Sequence, residues 1–298
     1  MFEFLLGVAV LAALYGVLAV SLNLEAGVTG LLNFGLVAFF GIGAYATGIA
    51  SIHGFSWELA IVIGMAVAAV AGAAVGLLGR TLGSDYWAIA TLALAELLRL
   101  VALNTDSLTR GAQGITTVQP FFPGLGPTDR DLVWLALAVA ILAVCALIAW
   151  RITETQFGRV LRLLREREPL AAALGHNVVG AKVRVMAISA PMAALAGSLY
   201  THYFTFIGPQ QMAPFGTYLV WTMVVVGGLG SAWGVIAGAF LVQLLYEVTR
   251  FIDDVTDISP ASAGGIRILV VGAALLAFLF FRPAGLIPER LRRLHAGS

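Results

Sequence analysis

Long apolar runs recur along almost the whole 298-residue chain, and each is close to the length that crosses a lipid bilayer. A membrane-spanning helix needs about 20 mostly apolar residues. The pattern predicts candidate spans at 2–24, 34–51, 58–79, 84–103, 132–150, 184–204, 217–229, 233–250 and 266–282. Because the run 217–229 is short and glycines follow it, we expect about eight to ten spans. The chain is therefore predicted to fold as an all-α polytopic transmembrane bundle.

Composition supports this prediction and excludes several classes of soluble protein. Hydrophobic residues make up 60% of the chain and charged residues 11%, whereas a soluble domain has about 25% charged residues. The net charge of +1 provides no basic field for nucleic acid. The single cysteine, Cys145, excludes a disulfide framework, and no His/Cys cluster has metal-ligand spacing. Lys182 is the only lysine and Val183 follows it, so the chain has no Walker-type nucleotide loop.

Positive residues are concentrated in connections that a nine-span arrangement places on one side of the membrane. The connection 151–183 with Arg184, the C-terminal tail and Arg80 carry twelve of the 17 positive residues. The opposite side carries Arg110, Arg130, Arg250 and Arg267. Because Lys and Arg are enriched in cytoplasmic loops, this predicts that 151–183 and the C-terminus are cytoplasmic. The N-terminus and the proline-rich loop 104–131, which cannot be a span, are then predicted to lie outside.

Asn33 and Phe34 lie between Gly30 and Gly35, where we expect a broken helical segment. Non-helical backbone at membrane depth is tolerated only inside protein or along a water-filled cavity. These two residues are therefore candidates for a transport pathway. Glu25, at the inner end of the first span, is assigned instead to the membrane interface.

Thr91 and Glu96 are further pathway candidates, on the span 84–103. Charged residues at membrane depth are costly and are functional candidates for that reason. Glu96 is three residues before Arg99 and shares a helix face with it. Glu96 therefore either lines the pathway near the ammonium group of a zwitterion or forms a structural pair with Arg99, and we prefer the structural pair.

Two glycine-rich regions, 27–48 and 227–238, echo each other loosely in the two halves of the chain. Gly230, Gly234 and Gly238 are spaced four apart, which predicts a glycine ridge on one helix face. Such a ridge allows close packing, either against another helix of this chain, which we prefer, or against a second subunit.

The connection 153–176 has local helix signals that predict a helix, a break and a second short helix. Residues 159–168 are mostly strong helix formers, Pro169 suits the first turn of a new helix, and Gly175 suits its C-terminal end. A short helix of small residues can dock in a cleft of another protein. The alternative is an amphipathic linker that its arginines hold against anionic lipid.

Four segments, in order, resemble motifs of the permeases of branched-chain amino acid ABC importers. They are GLLNFGLVAFFGIGAYATG at 30–48, DYWAIATLALAELLRL at 85–100, GRVLRLLREREPLAAALG at 158–175 and VVVGGLGSAWGVIAGAFL at 224–241. The resemblance covers most of residues 20–285 and is closer to the M-type than to the H-type of the two paired permeases. It implies a single permease domain over 1–298 of the type II ABC importer kind, with an internal repeat, a coupling loop at 151–183 and an outer loop at 104–131.

The resemblance also implies partners and roles. In this family the short cytoplasmic helix docks on an ATPase subunit. By position, the coupling residues are Gly158, Arg159, Arg162, Arg165, Glu168, Ala172 and Gly175. The implied partners are two ATPase subunits that bind the ATP, a second homologous permease forming a heterodimer rather than a homodimer, and a periplasmic or lipid-anchored binding protein. The chain itself is then a non-enzymatic, multi-pass protein of the bacterial inner membrane, without a cofactor or metal of its own.

Two departures from the family pattern leave the solute open. Leu36 stands where the family often has histidine, and Arg110 stands where it usually has a second glycine. Relatives also import urea and short amides, so a permease for those solutes is an alternative. A secondary transporter that uses Glu96 and Arg99 in ion coupling is another, and it would work without ATPase subunits. An intramembrane enzyme is disfavoured because no cluster of His, Asp or Glu suits one.

Overall fold

A computed structural model describes residues 2–116, 118, 121–122, 124, 126–249, 269, 272–273, 276–278 and 280–289. Helices account for nearly all regular structure in these residues. The α-helices are α1 Phe2–Leu22, α2 Leu36–Ile52, α3 Trp57–Leu78, α4 Ser84–Asn104, α5 Asp106–Thr109, α6 Pro127–Glu154, α7 Gln156–Ala173, α8 Val178–Phe204, α9 Pro214–Gly227 and α10 Ala232–Val248. A π-helix, Asn23–Thr29, continues α1, and short 3₁₀ helices lie at Gly111–Gln113 and Pro209–Met212.

The apolar helices confirm the prediction of an all-α membrane protein. Five helical stretches are long and apolar enough to cross a bilayer: Phe2–Thr29, α3, α4, α6 and α8. Three shorter apolar helices, α2, α9 and α10, have 14 to 17 residues, or about 21–26 Å at 1.5 Å per residue. The first eight predicted spans therefore correspond to apolar helices. The ninth, 266–282, lies partly outside the described residues.

Helix α1 lies at the centre of the bundle and packs against α6, α8, α9 and α10. Of its most apolar window, 72% is buried, compared with 28% for α3, 22% for α4 and 33% for α6. A helix that is apolar on all sides is stable only where its whole circumference is covered by protein or lipid. Helix α1 is thus covered by protein, whereas α3, α4 and α6 are largely exposed on the outside of the bundle.

Glycines bring α2 and α3 unusually close to α8. A Cβ at Gly43 of α2 would lie 1.9 Å from the Ala194 carbonyl oxygen, and one at Gly72 of α3 would lie 2.4 Å from that of Met186. Small residues at helix contacts allow backbones to approach in this way. These contacts make α2, α3 and α8 a tightly packed layer.

The predicted glycine ridge is correct for two of its three residues. Gly234 and Gly238 lie on α10, where added Cβ atoms would meet the carbonyl oxygens of Gly227 and Met223 on α9 at 2.3 and 2.2 Å. The ridge therefore packs within this chain. Gly230 does not belong to it: the residue precedes α10 and has a φ of +84°, because the tight turn between α9 and α10 requires a left-handed backbone there.

The turn at Gly230 also joins the two glycine-rich regions. The Gly230 N–H donates to the Asn23 side-chain oxygen at 2.8 Å, and a Cβ at Gly27 would lie 2.5 Å from the Gly230 nitrogen. The end of the first hydrophobic stretch and the turn before α10 therefore meet at one end of the bundle.

We call this end the α7 end, because α7 packs on the π-helix there. The C-terminal segment 282–289 also lies there: the Leu286 N–H donates to the Val226 oxygen and the Ile287 N–H to the Gly227 oxygen. The described arginines of the connection 151–184 and of this segment are thus brought to one end, as predicted. Arg250, Arg267, Arg290, Arg292 and Arg293 lie outside the described residues, and cytoplasmic placement of this end stays a prediction.

The loop 104–131 lies at the opposite end, and its described residues form no span, as predicted. Ile115 pairs with Ile207 through two backbone hydrogen bonds of 2.8 and 3.0 Å. Phe121 stacks on Trp134 with 5.3 Å between ring centroids and contacts Trp57. The loop is therefore anchored to the bundle by buried and aromatic contacts.

Arg110 in this loop has a φ of +57° and a ψ of +22°, the left-handed conformation that glycine adopts without strain. Its side chain is exposed. We expect Arg110→Gly to stabilise the protein by about 0.5 kcal/mol, since a left-handed residue with a Cβ costs ~1 kcal/mol and glycine offsets part of the gain by its greater freedom when unfolded. Thermal unfolding in detergent measures the change.

Arg130→Gly is the matched control, because Arg130 is exposed in the first turns of α6. Glycine in a helix costs about 1 kcal/mol, so this variant should unfold at a lower temperature. A lower unfolding temperature for Arg110→Gly as well would contradict the prediction.

Candidate coupling element and interrupted segment

Helix α7 is broken as the sequence predicts. Arg167 has φ −152° and ψ 86°, which is not helical, and Pro169 follows two residues later within the helix. Proline lacks an N–H and its ring clashes with the carbonyl four residues back, so a regular helix cannot continue through it. The break divides α7 into a longer first part and a short second part that starts near Pro169.

The short second part ends in a C-terminal motif centred on Gly175. The Gly175 N–H donates to the Ala172 oxygen at 3.0 Å and the His176 N–H to the Ala171 oxygen at 3.1 Å. Gly175 has a φ of +82°, as this Schellman arrangement requires. The predicted sequence of helix, break and short glycine-terminated helix is therefore confirmed. We call residues 167–175 the coupling element.

The coupling element presents an apolar surface to solvent. Ala171 is fully buried and fixes the element to the bundle, whereas Leu170 is 44% exposed and Leu174 62% exposed. Glu168, Ala172 and Gly175 are also exposed. Exposed leucines on a short helix outside the apolar bundle are typical of a surface that another protein covers.

The start of α7 is fixed by close backbone contact. Thr155 caps the helix by accepting from the Gly158 N–H. A Cβ at Gly158 would lie 2.3 Å from the Thr153 oxygen, so the position requires glycine. Arg159 next to it is exposed. Gly158 thus shapes the junction with α6, and Arg159 is available to a partner.

Arg162 and Arg165, predicted to flank the docking helix, point instead into the protein. Arg165 donates to the Glu289 carboxylate at 2.7 Å and also to the Gly27 carbonyl oxygen. The Arg162 Nε lies 3.2 Å from the other Glu289 oxygen. All three side chains are mostly buried, with 15–29% of their surface exposed. Nothing local in the sequence identifies Glu289, which is more than a hundred residues away.

Glu168 makes a second ion pair at the break. Lys182, at the start of α8, donates to Glu168 at 2.7 Å and to the Gly79 carbonyl oxygen at 3.2 Å. The Lys182 side chain is only 7% exposed. The pair attaches the coupling element to α3 and α8.

The predicted break at residues 30–35 is also present. Gly30 has a φ of +80° and ends the π-helix, and α2 starts only at Leu36. Side chains of other helices bind the backbone groups that the break leaves without a helical partner. The Phe34 N–H donates to Thr91 Oγ1 at 3.1 Å, and Trp221 Nε1 donates to the Asn33 oxygen at 2.9 Å. We call residues 30–35 the interrupted segment.

Glu25, for which the sequence favours the membrane interface, is fully buried by protein at the interrupted segment. Its carboxylate accepts hydrogen bonds from Asn33 Nδ2, at 2.7 Å, and from Ser189 Oγ. Asn33 in turn accepts from the Gly35 N–H at 2.7 Å. The span 2–24 considered alone does not predict this burial, which arises because the π-helix carries Glu25 into contact with Ser189 of α8.

Phe34 adds an aromatic surface to the interrupted segment. Its ring stacks on Trp221, with 5.0 Å between centroids and 18° between planes, and lies 6.1 Å from the Tyr218 ring. Tyr218 is 46% exposed and Phe34 is half-buried. Polar backbone and partly exposed aromatic rings therefore lie together within the bundle.

The four pathway candidates separate into a group of three and a lone residue. Phe34 follows Asn33 in the chain, and its N–H donates to Thr91 Oγ1. Glu96, one turn beyond Thr91 on α4, forms a two-point ion pair with Arg99 at 2.6 and 2.8 Å. This is the structural pair that we preferred. Within the described residues, no three His, Cys, Asp or Glu side chains form a group that could hold a metal.

The whole chain was compared with models of protein families. The model described as "Branched-chain amino acid transport system / permease component" matches residues 4–279. The chain belongs to this family.

Individual permeases of the family are similar over nearly the whole chain. The high-affinity branched-chain amino acid transport system permease protein LivM of Escherichia coli is 28% identical, covering 94% of this chain and 69% of its own. The probable branched-chain amino acid transport permease protein LivM of Methanocaldococcus jannaschii is 31% identical, covering 93% and 91%. The LivH permease of Escherichia coli is 23% identical over 78% and 81%. No solved structure matches.

In this permease, helix α7 and the interrupted segment lie next to each other. A Cβ at Gly30 of the interrupted segment would lie 3.1 Å from the Arg165 Cα of α7. A pocket of about 200 Å³ lies between α7 and the interrupted segment. Its lining residues include Leu32, Trp87, Arg165 and Lys182. Sequence reasoning found the segments but missed the contacts that hold them in place, which involve Glu25, Ser189, Trp221 and Glu289.

Thr91→Val tests the hydrogen bonding of the interrupted segment. The substitution keeps the shape of the side chain but leaves the part-buried Phe34 N–H without its acceptor, which costs about 1 kcal/mol. We expect a corresponding decrease in stability, measured by thermal or denaturant unfolding in detergent.

Thr222→Val on α9 is the matched control, because its hydroxyl donates only to the Tyr218 oxygen of its own helix at 2.9 Å. We expect it to change the free energy of unfolding by less than about 0.5 kcal/mol. Equal effects of the two variants would show that the Thr91 contact is unimportant.

Proposed function

We propose that this chain is a permease subunit of an ATP-driven importer of branched-chain amino acids. Family membership supports the permease role, and the names of the LivM relatives support leucine, isoleucine and valine as the solutes. The chain contributes the transport path and no ATP hydrolysis, which belongs to separate ATPase subunits.

The observation that carries the proposal is the exposed coupling element. Leu170 and Leu174 are exposed outside the apolar bundle, on a short helix that a proline break and two ion pairs hold in a fixed orientation. A rigid, solvent-exposed helix with apolar side chains suits docking in a groove of a water-soluble partner. Arg159 and Glu166 next to it are exposed and provide polar contacts at the rim.

The interrupted segment is the proposed transport path. The aromatic surface of Phe34, Tyr218 and Trp221 provides apolar contacts suited to a branched side chain. Broken helices at membrane depth are a recurring way to build transporter sites. Closure of the ATPases would displace the coupling elements and switch access to this path from one side of the membrane to the other.

The proposed assembly contains two ATPase subunits, a second permease and a binding protein outside. The similarity to LivH as well as LivM supports pairing with a related, non-identical permease. The proposed orientation in the bacterial inner membrane has the N-terminus outside and the α7 end and C-terminus in the cytoplasm, where positive residues are enriched. The loop 104–131 then faces the binding protein.

ATP-dependent uptake into proteoliposomes tests the function. With the permease pair, the ATPases and the binding protein reconstituted together, we expect uptake of leucine, isoleucine and valine that stops when ATP is replaced by a non-hydrolysable analogue. Uptake of urea or acetamide but not leucine would identify the alternative solute class. Uptake by this chain alone under an imposed proton or sodium gradient would overturn the proposal in favour of a secondary transporter.

Leu174→Glu tests the docking of the coupling element. A charge at a desolvated apolar anchor typically costs 2 kcal/mol or more, so binding to the ATPases should weaken by about 30-fold or more. We expect loss of ATPase subunits from the purified complex and loss of uptake. Unfolding of the isolated chain should be unchanged, because Leu174 is exposed.

Gln156→Glu and Leu174→Met are the controls. Gln156 is exposed at the start of α7, so the first control adds the same charge to the same helix outside the coupling element. The second keeps an apolar side chain at the anchor. Both should retain the ATPase subunits, and equal loss in all three variants would contradict the docking role of Leu174.

A further inference from the structure

Glu289 is a mostly buried carboxylate that the proposed function does not yet use. It lies on the C-terminal segment 282–289, which the Leu286 and Ile287 N–H groups attach to the end of α9. Its side chain is 15% exposed and lies between Arg162 and Arg165 of α7. One carboxylate thus binds the first part of α7 to the segment that follows the last predicted span.

Arg165 extends this contact to the first hydrophobic stretch. One of its terminal nitrogens binds Glu289, and the other donates to the Gly27 carbonyl oxygen in the π-helix. Gly27 is two residues from Glu25, whose carboxylate accepts from Asn33 of the interrupted segment at 2.7 Å. A continuous series of packed polar contacts therefore connects α7 to the proposed path.

The Glu289 contact is the ion pair in this series, and it restricts the arginine side chains. Arginine has a long side chain with many rotamers, and ordering it costs free energy. A carboxylate that bridges two arginines restricts both, and it also compensates charges that are mostly removed from water. If Glu289 were neutral, the Gly27 carbonyl oxygen would be the main remaining partner of Arg165. Helix α7 could then move without the π-helix.

We propose that Glu289 is a positioning residue that makes the coupling element and the interrupted segment move as one unit. It acts through Arg165 and Arg162, which are therefore internal connectors and not contacts for the ATPase. The inference rests on the proposed function, because it concerns how the motion of an ATPase reaches the transport path.

Glu289→Gln is the central test, in proteoliposomes that contain the complete complex. The substitution keeps size and hydrogen-bonding capacity but removes the charge. We expect the ATPase subunits to remain bound, because the exposed surface around Leu174 is unchanged. We expect leucine uptake per ATP hydrolysed to fall by about three- to tenfold, the range typical of residues that carry coupling between sites.

Two matched variants separate positioning from a loss of charge at this end of the bundle. Glu154→Gln removes an exposed carboxylate at the end of α6, and it should leave uptake per ATP unchanged. Glu289→Asp keeps the charge and should recover part of the coupling.

A double-mutant cycle adds a further test of whether Glu289 acts through Arg165. If it does, Arg165→Gln combined with Glu289→Gln should lower leucine uptake per ATP no further than the more damaging single variant.

Site-specific labelling follows the interrupted segment directly. Cys145 is the only cysteine and is buried, so Cys145→Ala gives a cysteine-free background. Leu32→Cys then places a reactive thiol in the segment, beside the pocket that Arg165 lines. We expect the rate of its labelling by a maleimide to change with ATP in the complex, and Glu289→Gln to abolish that change while the rate without ATP stays the same. A structural defect would raise the rate under both conditions.

The outcomes distinguish the inference from the proposed function. If the unsubstituted complex shows no ATP-driven leucine uptake, the proposed function fails, whatever Glu289→Gln does. If it transports and Glu289→Gln has the same uptake per ATP and the same ATP-dependent labelling, the inference is wrong. Loss of the ATPase subunits from Glu289→Gln would also overturn it, because Glu289 would then act in docking.

Discussion

The backbone of residues 30–35 imposes the main constraint on this fold. In the membrane interior, every N–H and C=O must find a partner within the protein, and a break between two helices leaves several without one. Here other helices provide the partners: α4 through Thr91, α9 through Trp221, and α9 again through Thr217, whose hydroxyl accepts from the Val37 N–H of the first turn of α2 at 3.3 Å. The break therefore fixes the positions of α4 and α9 relative to the interrupted segment and the start of α2.

Several charged residues named above also have partners within the protein. Within the spans, Glu96 and Arg99 neutralise each other on one helix face, and Glu25 is covered by Asn33 and Ser189. At the α7 end, where water is closer, charge is used to join elements that are distant in sequence. Desolvated charges that lose a partner are strongly destabilising, so such pairs define one arrangement more sharply than apolar contacts do. The loop helix α7 is thereby oriented by ion pairs, while the bundle is held by close helix packing.

The sequence predicts the features that depend on near neighbours. Apolar run length predicts the helices, Pro169 and Gly175 predict the broken loop helix, and Gly30 and Gly35 bracket the interrupted segment, because each signal acts within a few residues. It fails where the partner is remote. Ser189 is 164 residues from Glu25 and Glu289 is 124 from Arg165, and no local pattern marks such pairs. Gly230 was assigned to a helix because its spacing fits, although its backbone conformation belongs to a turn.

The break in α7 separates two roles that a straight helix could not combine. The first part, with Arg162 and Arg165, lies inside the protein and is bound to the π-helix and to Glu289. The second part, with Leu170 and Leu174, faces outward. In a continuous helix, one stripe faces inward along its whole length, and residues spaced three or four apart remain on it. The change of backbone direction at Arg167 rotates the second part relative to the first, so an outer partner can hold the exposed leucines while the arginines stay bound inside. The Glu168–Lys182 pair at the break then limits how far the two parts can move independently, which is the property that a connector between a partner and a buried path requires.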